Sequence, residues 1–233
     1  MKKVLILVIS SQHHPYGEMI TTSQKTWDSV DIVGCETIFF CGEPVGENTD
    51  KIIYFPINES LHTMGHKTIS AFRHALVYKE FDYIARVNSS TYVDKLELVK
   101  YIQTLPDKNV FEGLVVPAGQ YPHPFMWGPA FILSKDVVQN IIHNKDKWDH
   151  SLMDDVAISL LLEGEGVPFR SGKMASIDKI DGGFRCMGYG GGTFEFLDWK
   201  DIKKAKGQYF FRCKQDYDRR ADRYVMEKLF ENL

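Results

Sequence analysis

The sequence predicts an α/β fold with a mostly parallel central sheet and helices on both faces. One observation is the run at residues 4–10, which is nearly all β-branched or Leu, as in a strand covered on both sides. The other is the regular alternation of short apolar runs with helically spaced segments over the first hundred residues. Such alternation is typical of βαβ units, whose strands lie parallel in one sheet.

Each remaining element follows from local spacing and from its stop signals. In the first half these are a helix near residues 19–30, strands at 37–41 and 51–55, a helix at 65–78, a strand at 81–87, and a helix that opens at Asp94 and stops before Pro106. In the second half they are a strand at 113–116, an aromatic and proline loop at 121–129, a strand at 130–133, a helix after Ser134, a helix from Asp154 or Asp155, glycine-rich turns beyond Gly164, a strand at 208–214 and a terminal helix at 218–230.

The composition is that of an ordinary globular protein. The chain has 233 residues, 44% hydrophobic and 25% charged, with a formal charge of -3. This balance excludes a disordered or fibrous chain and gives no indication of a nucleic-acid partner. Four cysteines show neither a CxxC pair nor zinc-ligand spacing, so we expect reduced thiols.

The amino-terminal apolar run, residues 4–9, is shorter than the ~7 to 15 residues of a secretory h-region. No segment approaches the ~20 apolar residues that a membrane span needs. We therefore expect a cytoplasmic protein without a membrane span.

Small polar residues follow two of the predicted strands. Asn88, Ser89 and Ser90 come directly after the strand at 81–87, and Ser10 and Ser11 end the first strand. Ligands of open α/β sheets bind outside the carboxyl ends of the strands. These five residues are therefore candidates for ligand contact, the alternative being polar turns that cap the sheet edge.

Three segments together resemble one known family. YIARVNSSTYV resembles the strand and turn of the fringe and β-1,3-galactosyltransferase family, which carries a three-aspartate DxD motif before Thr, an aromatic residue and Val. WGPAFILSKDVV and SLMDDVAISLLL resemble that family's glycine-aromatic segment and its acidic segment at a helix start. The three agree in order and spacing between residues 83 and 162, whereas each alone is weak.

The resemblance implies a single GT-A domain over residues 1–233. Residues 1–105 would form the nucleotide-binding half and residues 106–233 the acceptor and catalytic half. The implied reaction is transfer of a sugar from a nucleotide-diphosphate sugar, with a UDP-hexose or UDP-N-acetylhexosamine as the expected donor, to a glycan hydroxyl with inversion. Because the chain lacks the membrane anchor of animal members, we expect a microbial or viral enzyme.

The sequence departs from the family at the metal motif. Family members bind Mn²⁺ or Mg²⁺ through the DxD carboxylates, whereas the matching residues here are neutral. We expect no tightly bound metal; weak Mn²⁺ or Mg²⁺ binding at Asn88 and Ser90 stays open. The alternative is a direct hydrogen bond from Asn88 and Ser90 to ribose or phosphate.

Without a metal, cationic side chains must bind the diphosphate, and Arg suits phosphate best because its planar fork binds bidentately. The candidates are Arg212, Lys214, Arg219 and Arg220 in the carboxyl-terminal segment, with Lys67 and Arg86 as secondary candidates. A solvated charged rim is the alternative for the arginines of the last helix.

The pair Asp154 and Asp155 is the catalytic candidate. An inverting transfer needs one general base, and a carboxylate at a helix start can be positioned and partly desolvated. The motif match assigns the base to Asp155, directly before Val156, and leaves Asp154 to orient it or to contact the acceptor. Helix capping is the alternative for either residue.

Aromatic residues of the loop at 121–129 predict an acceptor wall, because sugars pack their apolar faces on aromatic rings. The candidates are Tyr121, Phe125, Trp127 and Gly128. Core packing is the alternative for each aromatic ring.

Two other functions compete with sugar transfer. A catalytically silent protein that binds nucleotide or glycan is consistent with the missing DxD carboxylates. A nucleotidyltransferase is the lesser alternative, since SSQHHPYG after the first strand is not a glycine-rich, Arg- and Lys-bearing loop that binds triphosphate.

Overall fold

The computed structural model describes residues 1–43, 46–119, 121–189, 192–205, 207–216 and 218–233. Within this part the strands are β1 (Val4–Ile9), β2 (Cys35–Cys41), β3 (Ile52–Tyr54), β4 (Tyr83–Asn88), β5 (Thr91–Val93), β6 (Phe111–Val116), β7 (Phe125–Ser134), β8 (Phe169–Ser171), β9 (Met174–Ile180), β10 (Gly183–Tyr189), β11 (Gly192–Phe196) and β12 (Phe210–Arg212). The helices are α1 (Tyr16–Lys25), α2 (Met64–Tyr78), α3 (Lys95–Ile102), α4 (Lys135–His143), α5 (Asp154–Gly164) and α6 (Arg220–Asn232).

The larger sheet has the strand order β3-β2-β1-β4-β7-β6-β8. Neighbouring strands from β3 to β4 are parallel, as are β6 and β8, while β7 is antiparallel to both β4 and β6. The prediction of an α/β fold with a mostly parallel sheet is therefore confirmed.

Helices cover both faces of this sheet because β1 is apolar on both sides. Val4, Ile6 and Val8 belong to a core shared with α1, α3 and α6, and the alternate residues of β1 belong to a core shared with α2, α4 and α5. Each buried aliphatic side chain contributes roughly 1.5 to 3 kcal/mol of burial free energy. The strand is thus anchored from two sides.

A second sheet has the strand order β11-β10-β9-β12-β5. Strand β12 lies within the strand predicted at residues 208–214, whereas β9, β10 and β11 lie where the sequence predicted only glycine-rich turns. Gly182, with a φ of 78°, belongs to the two-residue connection between β9 and β10, so that glycine marks a hairpin turn rather than a long loop. This sheet pairs β12 with β5, placing Arg212 opposite Thr91. The carboxyl-terminal segment therefore lies beside the polar residues that follow β4.

Strand β7 is longer than the predicted strand at residues 130–133, and it begins at Phe125, inside the predicted aromatic loop. The additional length comes from pairing with β6, where Phe125 is opposite Val116. The register of this pairing shifts between Gly113 and Val115.

No helix in the described ranges is long and apolar enough to cross a membrane.

Candidate functional site

A cavity of about 600 Å³ opens at the carboxyl ends of β1 and β4. These strands are parallel, and Ile9 is in register with Asn88, so the polar residues after both strands meet at one edge of the sheet. Of the candidate residues, the cavity is lined by Ser10, Ser11, Lys67, Arg86, Asn88, Ser89, Ser90, Trp127, Gly128, Asp154, Asp155, Arg212, Lys214 and Arg219.

Three candidates lie elsewhere. Tyr121 and Phe125 do not line this cavity, and their rings pack edge to face with centroids 5.5 Å apart. Arg220 is exposed at the start of α6 and also does not line it. Trp127 reaches the cavity because β7 runs antiparallel to β4, which places the first residues of β7 at the carboxyl edge of the sheet. The predicted aromatic wall is thus reduced to Trp127.

Asn88, the last residue of β4, and the two serines that follow it have separate roles. The Ser89 hydroxyl donates to the Ile9 carbonyl at 2.8 Å and lies 2.9 Å from the Ser10 Oγ, which ties β4 to β1. The Ser90 carbonyl accepts from the Cys213 backbone N–H at 2.8 Å, which ties the turn to the segment after β12. Asn88 is half-buried, and its Oδ1 accepts from Arg86 Nη1 at 2.8 Å.

Arg86 connects the three segments that carried the family resemblance. Its side chain is buried, and its guanidinium donates to Asn88 Oδ1, to the Gly128 carbonyl and to Asp154 Oδ2, the last at 2.5 Å. The Phe131 ring lies below the guanidinium, with its centroid 5.3 Å from Cζ. A planar group with five N–H donors suits such a junction, which a lysine could not form.

Asp154 is buried, with its carboxylate directed at Arg86 rather than free for an acceptor. Its Oδ2 accepts from Arg86 and, at 3.1 Å, from the Thr68 hydroxyl of α2. These contacts argue against contact of Asp154 with the acceptor, and its predicted role in orienting Asp155 stays a prediction.

Asp155 lies beside the cavity, and two backbone N–H groups position it. Gly128 donates to its Oδ2 at 3.0 Å and Val156 donates to its Oδ1 at 2.9 Å. Burial and then the charge of Asp154 raise the pKa of Asp155, partly offset by Arg86 and by these backbone hydrogen bonds. A carboxylate with a raised pKa is a stronger base, as a general base requires.

Gly128 allows this close approach. A Cβ at position 128 would lie 2.5 Å from Asp155 Oδ2, a distance that only a shift of the carboxylate could relieve. The glycine of the WGPA segment is therefore a steric requirement for the position of Asp155, a constraint that becomes visible only in three dimensions.

The carboxyl-terminal segment brings three cations to the cavity. The Arg212 guanidinium lies over the Trp127 ring at 4.6 Å, and Lys214 forms an ion pair with Asp216 at 2.9 Å. Arg219 pairs with Asp222 at 2.8 Å and lies over the Tyr16 ring at 5.4 Å. Lys67 and Arg86 also line the cavity, so five cationic side chains line it together with three carboxylates, and Asp216 and Asp222 pair with two of the cations beside it. These cationic groups can donate charge-assisted hydrogen bonds to an anionic ligand.

Lys67 has a partner that the sequence did not reveal. Its ammonium donates to the Ser10 carbonyl at 2.6 Å and to Glu59 at 2.7 Å, and Glu59 accepts from the Gly42 N–H at 2.6 Å. Glu59 and Tyr16 both line the cavity, yet neither carries a motif that could have identified it. Lys67 thus supports the loop after β1 as well as lining the cavity.

The side chains of Asn88, Ser89 and Ser90 do not fit as ligands of a divalent cation. They are an amide and two hydroxyls, and the amide oxygen already accepts from a guanidinium. Across the described residues, no group of three His, Cys, Asp or Glu side chains is arranged to bind a metal. Mn²⁺ and Mg²⁺ prefer carboxylate oxygens, which this turn lacks.

Comparisons with known proteins identify a fold. No family model matches the sequence, and no curated protein is detectably related to it, so membership of the fringe family stays a prediction. Among solved structures, a glycosyltransferase involved in the glycosylation of the major capsid of PBCV-1 is similar over 97% of this chain and 98% of its own, with a TM-score of 0.57 and 12% identity. This likeness shows that the chain shares the mixed α/β, GT-A-like fold of that structure.

Two further structures are less similar. The 4-diphosphocytidyl-2C-methyl-D-erythritol synthase of Anaerococcus prevotii has a TM-score of 0.49 and 10% identity, covering 73% of this chain and 86% of its own. GlyE, a glycosyltransferase of Streptococcus pneumoniae, has a TM-score of 0.44 and 12% identity, covering 74% and 45%.

Proposed function

We propose that this protein is a glycosyltransferase that moves a sugar from a nucleotide-diphosphate sugar to a glycan hydroxyl with inversion. The expected donor is a UDP-hexose or a UDP-N-acetylhexosamine. The observation that carries the proposal is the position of Asp155, a partly desolvated carboxylate fixed by two backbone N–H groups in a cavity that five cationic side chains line. The GT-A-like fold supports it.

In the proposed reaction Asp155 takes the proton of the acceptor hydroxyl. The acceptor oxygen forms a bond to the anomeric carbon while the bond from that carbon to the diphosphate oxygen breaks. A single displacement of this kind inverts the anomeric centre and requires one base. The proton ends on the Asp155 carboxylate, and the electron pair of the broken bond ends on the departing diphosphate.

Charge on the leaving diphosphate needs stabilisation, and the carboxyl-terminal cations supply it. Arg212 and Lys214 lie in the same cavity as Asp155, and Arg219 extends the cationic wall toward Tyr16. Charge-assisted hydrogen bonds from fixed cations act most strongly where charge develops in the transition state. The cavity volume lies within the roughly 300 to 1,000 Å³ typical of small-molecule sites.

Incubation with a panel of UDP-sugars and acceptor glycans tests the proposal, with free UDP and the mass of the acceptor as the readouts. We expect UDP release together with an acceptor that gains one sugar. Binding of UDP without product from any acceptor would instead favour the catalytically silent protein.

Asp154→Asn is expected to move the acid limb of kcat/KM to lower pH. The charge of Asp154 raises the pKa of Asp155, whereas Arg86 lowers it. Removing the charge of Asp154 therefore lowers the pKa of Asp155. Since the base acts when deprotonated, a lower pKa extends activity toward acid. The measurement is the pH profile of kcat/KM for both proteins, with circular dichroism to confirm folding. An acid limb that stays in place or moves to higher pH contradicts this role of Asp154.

A further inference from the structure

The amide of Asn88 has a defined orientation, because its partner can only donate. Arg86 Nη1 lies 2.8 Å from the Asn88 side chain, and a guanidinium has no acceptor atom. The amide oxygen must therefore point to Arg86. The amide nitrogen therefore points away from Arg86, and it belongs to a half-buried residue that lines the cavity.

Arg86 cannot easily turn away to release this oxygen. Its side chain is 1% exposed, and its Nη1 and Nη2 groups also donate to the Gly128 carbonyl and to Asp154. The Phe131 ring packs against its guanidinium. Arg86 thus fixes the orientation of Asn88 and is itself held by three groups from β7 and α5, the elements that position Asp155.

A divalent cation is disfavoured at this oxygen for two reasons. One lone pair of the amide oxygen already accepts from the guanidinium, and a metal ion bound to the same oxygen at ~2.1 to 2.6 Å would lie within about 5 Å of that positive charge. Like charges at that separation, in a partly buried site, repel strongly. The turn therefore presents a donor to the cavity where carboxylates would present acceptors.

We propose that Arg86 reverses the polarity of this turn, so that Asn88 donates an amide N–H directly to an anionic oxygen of the nucleotide diphosphate and no divalent cation is bound. Arg86 is a positioning residue in this arrangement, and Asn88 is the contact. The inference rests on the proposed function for the identity of the ligand. It concerns binding, so it is testable without turnover.

The first experiment measures the affinity of the full chain for UDP by calorimetry, in EDTA and in MnCl₂. The expected dissociation constants agree within about twofold, because direct hydrogen bonds and cations bind the diphosphate. Binding that is tenfold or more tighter with Mn²⁺, or no UDP binding at all, overturns the proposal. If UDP binds equally in both conditions but no sugar is transferred, the proposed function fails and this inference stands.

Asn88→Asp tests the donor itself. The change is nearly isosteric, removes the N–H donor and places a negative charge toward the diphosphate, so we expect UDP affinity to fall at least about tenfold. Asn140→Asp on α4, outside the residues that line the cavity, is the matched control and is expected to bind UDP as the parent does. Unchanged UDP affinity in Asn88→Asp overturns the proposal.

Mn²⁺ binding separates the role of Arg86 from that of Asn88. Electron paramagnetic resonance of free Mn²⁺ is expected to show no uptake by the parent or by Asn88→Asp, because the guanidinium pairs with the new carboxylate. The double variant Arg86→Gln/Asn88→Asp is expected to take up Mn²⁺, since its carboxylates no longer face a fixed cation. Uptake by the parent that Asn88→Ala abolishes overturns the proposal, as does a folded double variant without uptake. If the double variant does not fold, the calorimetric comparison still decides.

Discussion

Replacement of Asp155 by asparagine is expected to lower kcat about a thousandfold and to leave UDP affinity within about twofold of the parent, the loss typical of removing a general base. Asparagine keeps the shape of the side chain and can still accept the Gly128 N–H that positions Asp155. The ability to take a proton is lost, and the amide can accept from only one of the two backbone N–H groups that position Asp155. The measurement is steady-state transfer together with calorimetric UDP binding.

The same variant is expected to be more stable than the parent at pH 7. Burial raises the pKa of Asp155 above its ordinary value, so the unfolded chain ionises first as the pH rises past about 4. The parent therefore loses stability between that pH and the raised pKa, and the asparagine variant does not. The difference in Tm should vanish below about pH 4.

Glu163→Gln is the matched control, since Glu163 is a half-exposed carboxylate on the same helix and the His123 Nδ1 that lies 3.4 Å from it belongs to an exposed side chain. We expect its kcat and its Tm to equal those of the parent. Full turnover by Asp155→Asn would remove Asp155 from the mechanism. A variant that loses activity together with stability would instead indicate a structural role.

The second large effect is on stability. Arg86→Met is expected to cost about 3 to 5 kcal/mol of unfolding free energy, because it leaves the buried Asp154 carboxylate without its cation. The Asn88 side chain and the Gly128 carbonyl lose a donor at the same time. Urea unfolding at neutral pH measures the change.

Arg86→Met/Asp154→Leu is the control that separates the unpaired charge from lost packing. Replacing both members of a buried ion pair with apolar side chains is often neutral, so the double variant should recover most of the lost stability. It should not recover transfer, since Asn88 and Gly128 remain without the guanidinium. If Arg86→Met is as stable as the parent, the hydrogen bonds of Arg86 to Asn88, Gly128 and Asp154 do not stabilise the fold.

Much of the larger sheet could be predicted because its signals are local. The composition of β1 requires burial on both faces, and alternating strands and helices require parallel pairing. The second sheet could not be predicted in the same way. Its β9–β10 hairpin has a connection of only two residues, and its pairing of β12 with β5 joins residues far apart in the chain. Long-range pairing of this kind leaves little local trace.

In the candidate site too, the features with a local sequence signal could be predicted and those that depend on long-range contacts could not. Asp155 and the cations Arg212 and Lys214 could be selected by residue type and motif order, and the structure brings them to one cavity. The partnership of Arg86 with Asp154 could not, since 68 positions separate them. Glu59 was missed for the same reason, because its partners Lys67 and Gly42 come from other elements. The sequence thus supplies the reactive groups, and the tertiary contacts assign their roles.

The measurement that tests this account most directly is a crystal structure of the protein with a non-hydrolysable UDP-sugar. The account predicts the diphosphate within hydrogen-bond distance of Asn88 and of Arg212 or Lys214, with the anomeric carbon facing Asp155 and no metal ion between them. A ligand bound outside this cavity, or a diphosphate bridged to a divalent cation at residues 88–90, would contradict it.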